Sequence, residues 1–260
     1  MKIAIGKSAL LVASAMLAAC LAGCGGGGSG SDSGVSPVVS PLAGVWSGTL
    51  TDAAGNNFSL ETEHVVSGAA IKGSARIVAT DGSIYHGALS GTETAAGMDW
   101  SVDFRDSLGL LDFKGTRNGK NLTLTYAPRA TPGAPGNGTL NFSQAGGADL
   151  RGTYQVDWIA NKQTGSFLIT VVNDSGVNSI AYLQVQVVNG LMVFGGSCIG
   201  STISVGAKVL AGATGSPVSL VQMHFGGTAV GSPGFVSGTS TAQSVVTPIQ
   251  GEFRLTKVSG

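Results

Sequence analysis

The sequence is poor in charge, histidine and cysteine, and each shortage argues against a class of function. Charged residues make up 11% of the chain, with fourteen basic and fourteen acidic side chains, so the basic stripe that nucleic acids require is missing. The three histidines, His64, His86 and His224, lie far apart, and none has metal-ligand spacing to another histidine or to a cysteine. We therefore expect no nucleic-acid partner, no metal and no cofactor.

Helical periodicity is also missing, whereas glycine is abundant. Apolar residues do not recur at helical spacing, and the chain contains 42 glycines together with many serines, threonines and valines. This composition favours strands and tight turns, so we expect an all-β fold. We assign the glycines to a tether and to turns, because no glycine loop precedes a helix as a phosphate-binding loop would.

The N-terminus has the layout of an export signal. Lys2 and Lys7 precede an apolar run over residues 9–19, and Leu21-Ala22-Gly23-Cys24 follows. The apolar run is too short to span a bilayer stably, so residues 1–23 are predicted to be a cleaved signal peptide.

The same residues resemble the lipobox signal of bacterial lipoproteins. In that family the cysteine receives diacylglycerol and, after cleavage, an acyl chain such as palmitate on its amine. The resemblance implies cleavage after Gly23, lipidation of Cys24 and, because Gly rather than Asp follows Cys24, an outer-membrane location. Leu17-Ala18-Ala19-Cys20 also fits the motif, so cleavage before Cys20 is the alternative.

Glycine and serine dominate the residues directly after Cys24, and such a composition behaves as a flexible coil. We predict four segments in all. They are a signal peptide over 1–23, a tether over 24–41, a β-barrel-like domain over 42–147 and a second β domain over 148–260.

Short runs of alternating apolar residues follow the tether at the spacing of an all-β sandwich or barrel. Eight of them precede residue 145, and a second series follows. The first series covers residues 45–51, 58–65, 71–78, 84–92, 98–104, 110–117, 122–126 and 139–143. Eight antiparallel strands close most economically into an up-and-down barrel, which removes exposed edges.

Residues 130–138 and 226–244 are rich in glycine, proline, serine and threonine. The first is predicted to be a loop, and the second a long loop or an irregular strand pair. Both are candidate interaction surfaces, because loops carry many binding sites.

The two series of runs share a pattern at their starts and at their ends. Leu42-Ala43-Gly44-Val45-Trp46 matches Leu150-Arg151-Gly152-Thr153-Tyr154, and Gly138-Thr139-Leu140-Asn141-Phe142 matches Gly251-Glu252-Phe253-Arg254-Leu255. An internal repeat predicts two tandem antiparallel barrel-like domains, and chance similarity between glycine-rich strands is the alternative. Gly44-Val45-Trp46 also resembles the Gly-x-Trp opening of lipocalin-like (calycin) barrels, which implies that Trp46 packs at the barrel floor.

The candidate chemistry of the chain is sparse. Gly196-Ser197-Cys198-Ile199-Gly200 has the letters of a nucleophile elbow, but the residues after Cys198 read as a strand and not as the required helix. We therefore expect Cys198 to be a small buried hydrophobic residue. A metal site from Glu61, Glu63 and His64 is unfavourable, because strand alternation puts the two carboxylates on one face and the imidazole on the other.

The sequence thus favours a lipid-anchored envelope lipoprotein that is not an enzyme and has no catalytic residues. It would bind an envelope protein, a glycan or a small apolar ligand. Two alternatives stay open, a periplasmic hydrolase that uses Cys198 with His224 and a purely structural envelope protein.

Overall fold

The structure, a computed structural model, describes residues 40–104, 108–130, 134–160, 163–181, 191–210, 220–228, 233–242 and 245–260. All of the regular elements in these residues are β-strands, which confirms the all-β prediction. No helix in this part of the chain is long and apolar enough to cross a membrane. The predicted signal peptide, with Leu21 to Cys24, and the tether up to residue 39 lie outside the described residues.

The first eight strands form a closed antiparallel barrel in which each strand pairs with the next and the last pairs with the first. The strands are β1 (Gly44–Thr51), β2 (Asn57–Ser67), β3 (Ala70–Val78), β4 (Ile84–Glu93), β5 (Gly97–Phe104), β6 (Gly109–Asn118), β7 (Asn121–Pro128) and β8 (Gly136–Gln144). Every predicted run of the first series lies within one of these strands, so the barrel prediction is confirmed.

The start of β8 corrects one prediction. Residues 136–138, which we assigned to a loop, belong to the strand and pair with residues 124–126 of β7. A Cβ at Gly136 would overlap the Tyr126 ring, so only glycine lets the two strands run side by side at this point.

Large side chains fill the barrel interior. The inward positions alternate along each strand with outward ones, and several inward side chains are almost completely buried: Trp46, Leu60, Met98, Phe104, Phe113 and Leu124. Trp100, Phe113 and Tyr126 stack in a row, with ring centroids 5.1 and 5.6 Å apart. Trp46 is therefore a packing residue of the barrel core, as predicted, whereas the lipocalin resemblance itself stays a prediction.

Several glycines lie inside barrel strands, so our assignment of the glycines to tethers and turns is wrong for them. A Cβ at these positions would overlap a carbonyl oxygen of the neighbouring strand: Gly48, Gly73, Gly91 and Gly97. Gly73, for example, lies against the carbonyl oxygen of Glu63. The close approach of strands in a small curved barrel leaves no room for a side chain at these points.

The other eight strands form a second antiparallel sheet in the order β11-β10-β9-β16-β15-β14-β13-β12. They are β9 (Gly152–Ala160), β10 (Gln163–Asp174), β11 (Val177–Ala181), β12 (Leu191–Ile199), β13 (Thr202–Leu210), β14 (Leu220–Thr228), β15 (Pro233–Ala242) and β16 (Val245–Ser259). The sheet curls until β11 and β12 lie beside each other. Most of the segment predicted as a loop or irregular strand pair, 226–244, is occupied by the regular strand β15.

The two sheets begin with the same local structure. Trp46 Nε1 donates to Leu42 O at 3.0 Å, and Tyr154 Oη donates to Leu150 O at 2.7 Å. The glycine two residues before each ring has a positive φ, and in each sheet the first strand pairs with the last.

The predicted match at the ends of the two series is out of register in the structure. Gly138 lies opposite Leu50, four residues after the first ring, and Gly251 lies opposite Ala160, six residues after the second ring. Both sheets belong to one compact unit, and its division into two tandem domains stays a prediction.

Candidate functional site

The outer face of the barrel packs against the second sheet along one buried strip. Strands β2, β3 and β4 contribute one side of this strip, and β11 and β12 contribute the other. The outward side chains here are polar but buried, which is unusual for the outside of a barrel. We call this strip the polar seam, and its members are Glu63, Ser74, His86, Asn178, Ser197 and Gly200.

Glu63 is the charged residue of the polar seam. It is only 4% exposed, and each carboxylate oxygen accepts a backbone hydrogen bond. Gly147 N donates to Oε1 at 2.7 Å, and Gly200 N donates to Oε2 at 2.8 Å. Gly200 lies in the turn between β12 and β13 with φ of +58°, a conformation that favours glycine. The carboxylate of one barrel strand is thus hydrogen-bonded both to the connection between the sheets and to a turn of the second sheet.

Two further pairs of hydrogen-bonded residues cross the polar seam. His86 Nδ1 lies 3.0 Å from Ser197 Oγ, and Ser74 Oγ donates to Asn178 O at 3.4 Å. The Asn178 side chain also donates to Ala148 O at 2.6 Å and accepts from Leu150 N at 3.2 Å. Asn178 therefore fixes the connecting segment against β11.

A groove of about 530 Å³ lies beside the polar seam, between the barrel and the second sheet. We call it the interface groove. Its lining includes charged side chains of both signs and several hydroxyl groups: Lys72, Ser90, Asp103, Asp174 and Ser179. This volume is typical of ligand sites, and the lining suits a polar partner that donates and accepts hydrogen bonds.

The acidic residues near His64 lie as strand alternation predicts. Glu63 points outward into the polar seam and Glu61 forms an outward ion pair with Arg76, whereas His64 belongs to the barrel interior. His64 Nδ1 lies 3.2 Å from Leu42 O, and burial lowers the pKa of its imidazole to about 4. The imidazole and the two carboxylates therefore do not share a site.

Cys198 lies in the core of the second sheet, as predicted. It is 1% exposed, and burial, together with the nearby Glu63 carboxylate, raises the pKa of its thiol to about 12. A strand, β13, follows it and not a helix. His224 lies in β14 opposite Gly206, while its neighbour Phe225 belongs to the core that contains Cys198.

Other acidic residues of the barrel lie apart from one another. Asp112 accepts hydrogen bonds from Ser101 and Arg129 on the outer face of the barrel, and Asp103 lines the interface groove. Residues 131–133, 229–232 and 243–244 of the two candidate surfaces lie outside the described residues. Among those described, no group of three His, Cys, Asp or Glu side chains could hold a metal ion.

Glu63, His86 and Ser197 lie in unrelated parts of the sequence, and the structure brings them together in the polar seam. Glu63 and Gly200 are 137 positions apart along the chain, and His86 and Ser197 are 111 apart. No local pattern signals such contacts, so only the packing of the two sheets shows them.

Replacement of Glu63 tests the polar seam. We expect Glu63→Gln to lower the free energy of unfolding by about 1–3 kcal/mol, because an amide group has a single acceptor oxygen and leaves one buried N–H unsatisfied. Glu61→Gln is the matched control on the same strand; its carboxylate is 40% exposed and its ion pair is worth less than about 1 kcal/mol. Urea denaturation of both variants checks this, and equal losses would show that the buried carboxylate has no special role.

Alkylation tests the state of Cys198. Because its pKa is near 12, the thiolate is scarce at pH 8, and the folded chain should resist iodoacetamide at this residue until urea unfolds it. Peptide mass spectrometry after labelling with and without urea measures the difference. Rapid native labelling of Cys198 at pH 8 would show an accessible thiolate and would favour the hydrolase alternative.

Comparison with known proteins assigns the chain to no family. No protein-family model matches it, no curated protein is similar to it and no solved structure matches its fold.

Proposed function

We propose that this chain is a lipid-anchored lipoprotein of the cell envelope and that it acts as a non-enzymatic binding module for a protein or a glycan. The observation that carries the binding role is the interface groove, whose two walls are joined by the buried hydrogen bonds of Glu63, His86 and Ser74 to the second sheet. A groove held in this way needs no ordering when a partner binds, which reduces the entropic cost of binding.

The anchor is supported by the sequence. Leu21-Ala22-Gly23-Cys24 fits the lipobox, and a glycine- and serine-rich segment separates Cys24 from the first strand at Gly44. A single acyl chain binds membranes only marginally. Diacylglycerol together with an amine-linked acyl chain gives one cysteine more than one chain, which is enough for stable anchoring. An outer-membrane location follows from the Gly that succeeds Cys24, by resemblance to other lipoproteins.

The chemistry of the described surfaces favours a polar partner over a small apolar ligand inside the barrel. Aromatic and aliphatic side chains occupy the barrel interior, whereas the interface groove has Lys72, Asp103 and Asp174 in its lining. The charged side chains of both signs and the hydroxyl groups in this lining match the surface of a glycan or a peptide.

The hydrolase alternative receives little support from the site. Burial and the raised pKa of Cys198 disfavour a nucleophilic thiolate. Ser197 and His86 are within hydrogen-bonding distance, but both side chains are buried in the polar seam. A substrate could reach them only if the two sheets separated. We therefore assign no catalytic role to any of the described residues.

Intact mass tests the anchor. Protein extracted with detergent from its native membrane should begin at Cys24 and carry the added mass of diacylglycerol and one acyl chain. Cys24→Ala should abolish the added mass and release the protein from the membrane, whereas the control Cys20→Ala should change neither. A chain that begins at Cys20, or one with no lipid mass, would contradict the proposed anchor.

Obstruction of the interface groove tests the binding role. Ser90 is exposed on β4 and lines the groove, so Ser90→Trp should fill part of it without disturbing the barrel core. We expect the purified lipoprotein to bind members of a glycan or peptide array and Ser90→Trp to lose that binding at least about tenfold. Thr123→Trp, at an exposed position of β7 away from the groove, is the control. Absence of any array binding, or equal binding by both variants, would contradict the proposal.

A further inference from the structure

A second cavity lies at the end of the barrel where the chain enters it. It has a volume of about 560 Å³, and Ser40, the first described residue, lies at its rim. We call it the tether-end pocket. Its lining combines aromatic, aliphatic and basic side chains: Trp46, His64, Val66, Arg117, Lys120 and Phe142.

All of the charged side chains in this lining are basic. Arg117 and Lys120 lie at either side of Gly119 in the turn between β6 and β7, so the hairpin brings both cations to the same end of the barrel. Arg117 Nη1 donates to Gly119 O at 2.7 Å, and Lys120 Nζ lies 6.0 Å from the centroid of the Phe142 ring. Among the described residues, neither cation forms an ion pair with a carboxylate.

Two carboxylates accept hydrogen bonds from residues that line the pocket. Glu93 accepts from Ser40 Oγ at 3.0 Å at the rim of the pocket. Both oxygens of Glu63 accept backbone N–H groups in the polar seam. The donors of Arg117 and Lys120 that remain are therefore open to an anion from solvent.

The floor of the pocket adds a buried acceptor. His64 is 1% exposed and neutral at pH 7, and its Nδ1 faces the carbonyl oxygen of Leu42, so Nδ1 carries the proton. Nε2 is then an acceptor, and it has no hydrogen-bond partner among the described residues. An unpaired buried polar atom costs free energy, and a ligand or a water molecule that donates a hydrogen bond would recover it.

We propose that the tether-end pocket binds a phosphate-bearing amphiphile. Arg117 and Lys120 would contact the phosphate oxygens, and the apolar part of the ligand would lie against Phe142 and Val66. Arginine offers phosphate a planar pair of donors, and lysine offers it a point charge. The cavity volume is in the range of small-molecule sites. A free phosphate ester and a phospholipid head group share this chemistry. The site is separate from the interface groove and requires no lipid anchor.

Calorimetric titration of the full chain in a neutral detergent tests the site. Phenyl phosphate should bind at one site per chain, inorganic phosphate should bind more weakly and phenol should not bind. The double variant Arg117→Gln/Lys120→Gln should lower the affinity for phenyl phosphate at least about tenfold. Added salt should lower this affinity further. Lys114→Gln/Arg254→Gln, which removes two exposed cations outside both the tether-end pocket and the interface groove, should leave the affinity unchanged.

A competition arm identifies the source of the ligand. Displacement of phenyl phosphate by short-chain phosphatidylglycerol, and not by its phosphatidylcholine counterpart, would support a lipid head group as the ligand. Binding of phenyl phosphate without such displacement would support a free phosphate ester. No saturable binding of phenyl phosphate, or equal binding by the two double variants, would overturn the proposal. Because these measurements use neither the groove nor the anchor, their failure is distinguishable from failure of the proposed function.

Discussion

The arrangement of the two sheets depends on one buried carboxylate, that of Glu63. Burial of a charge is costly unless hydrogen bonds replace its hydration, and Gly147 N and Gly200 N provide that replacement. Neither glycine N–H belongs to the barrel strands, so the carboxylate is satisfied only when the connecting segment and the β12–β13 turn are both in place. This requirement selects one relative position of the sheets, whereas apolar contact alone would tolerate several.

The position of Glu63 depends in turn on the backbone beside it. Its carbonyl oxygen lies against Gly73 of β3, where any Cβ would force the two strands apart. Because β2 and β3 approach so closely, Thr62 and His64 are held in the barrel interior while Glu63 points outward. Gly73 thus permits the close pairing of β2 and β3, and alternation along β2 places Glu63 in the polar seam and His64 in the tether-end pocket.

The sequence predicts the barrel well because its signals are local. Alternation locates all eight strands, and Leu42 to Trp46 and Leu150 to Tyr154 mark equivalent strand starts that the structure confirms. The same local method fails where partners are distant. Gly73 and Gly97 look like turn residues until the neighbouring carbonyls are known, and the hydrogen bond between His86 and Ser197 joins residues 111 positions apart. Strand alternation predicts correctly that Glu61 and Glu63 lie on the face opposite His64, but not that a second sheet covers Glu63.

The two candidate sites differ in the part of the fold on which they depend. The interface groove has walls from both sheets, so a change that separates the sheets, such as loss of the Glu63 carboxylate, should weaken it. Arg117, Lys120, Phe142 and His64 of the tether-end pocket all belong to barrel elements, whose ladder is closed by β1 and β8. Closure removes the strand edges that open first, so the two cations of the pocket should stay in place when the seam loosens. Gly147 and Gly176 of the same lining lie outside the barrel and can shift with the second sheet. We therefore expect Glu63→Gln to weaken partner binding at the interface groove more than phosphate binding by Arg117 and Lys120.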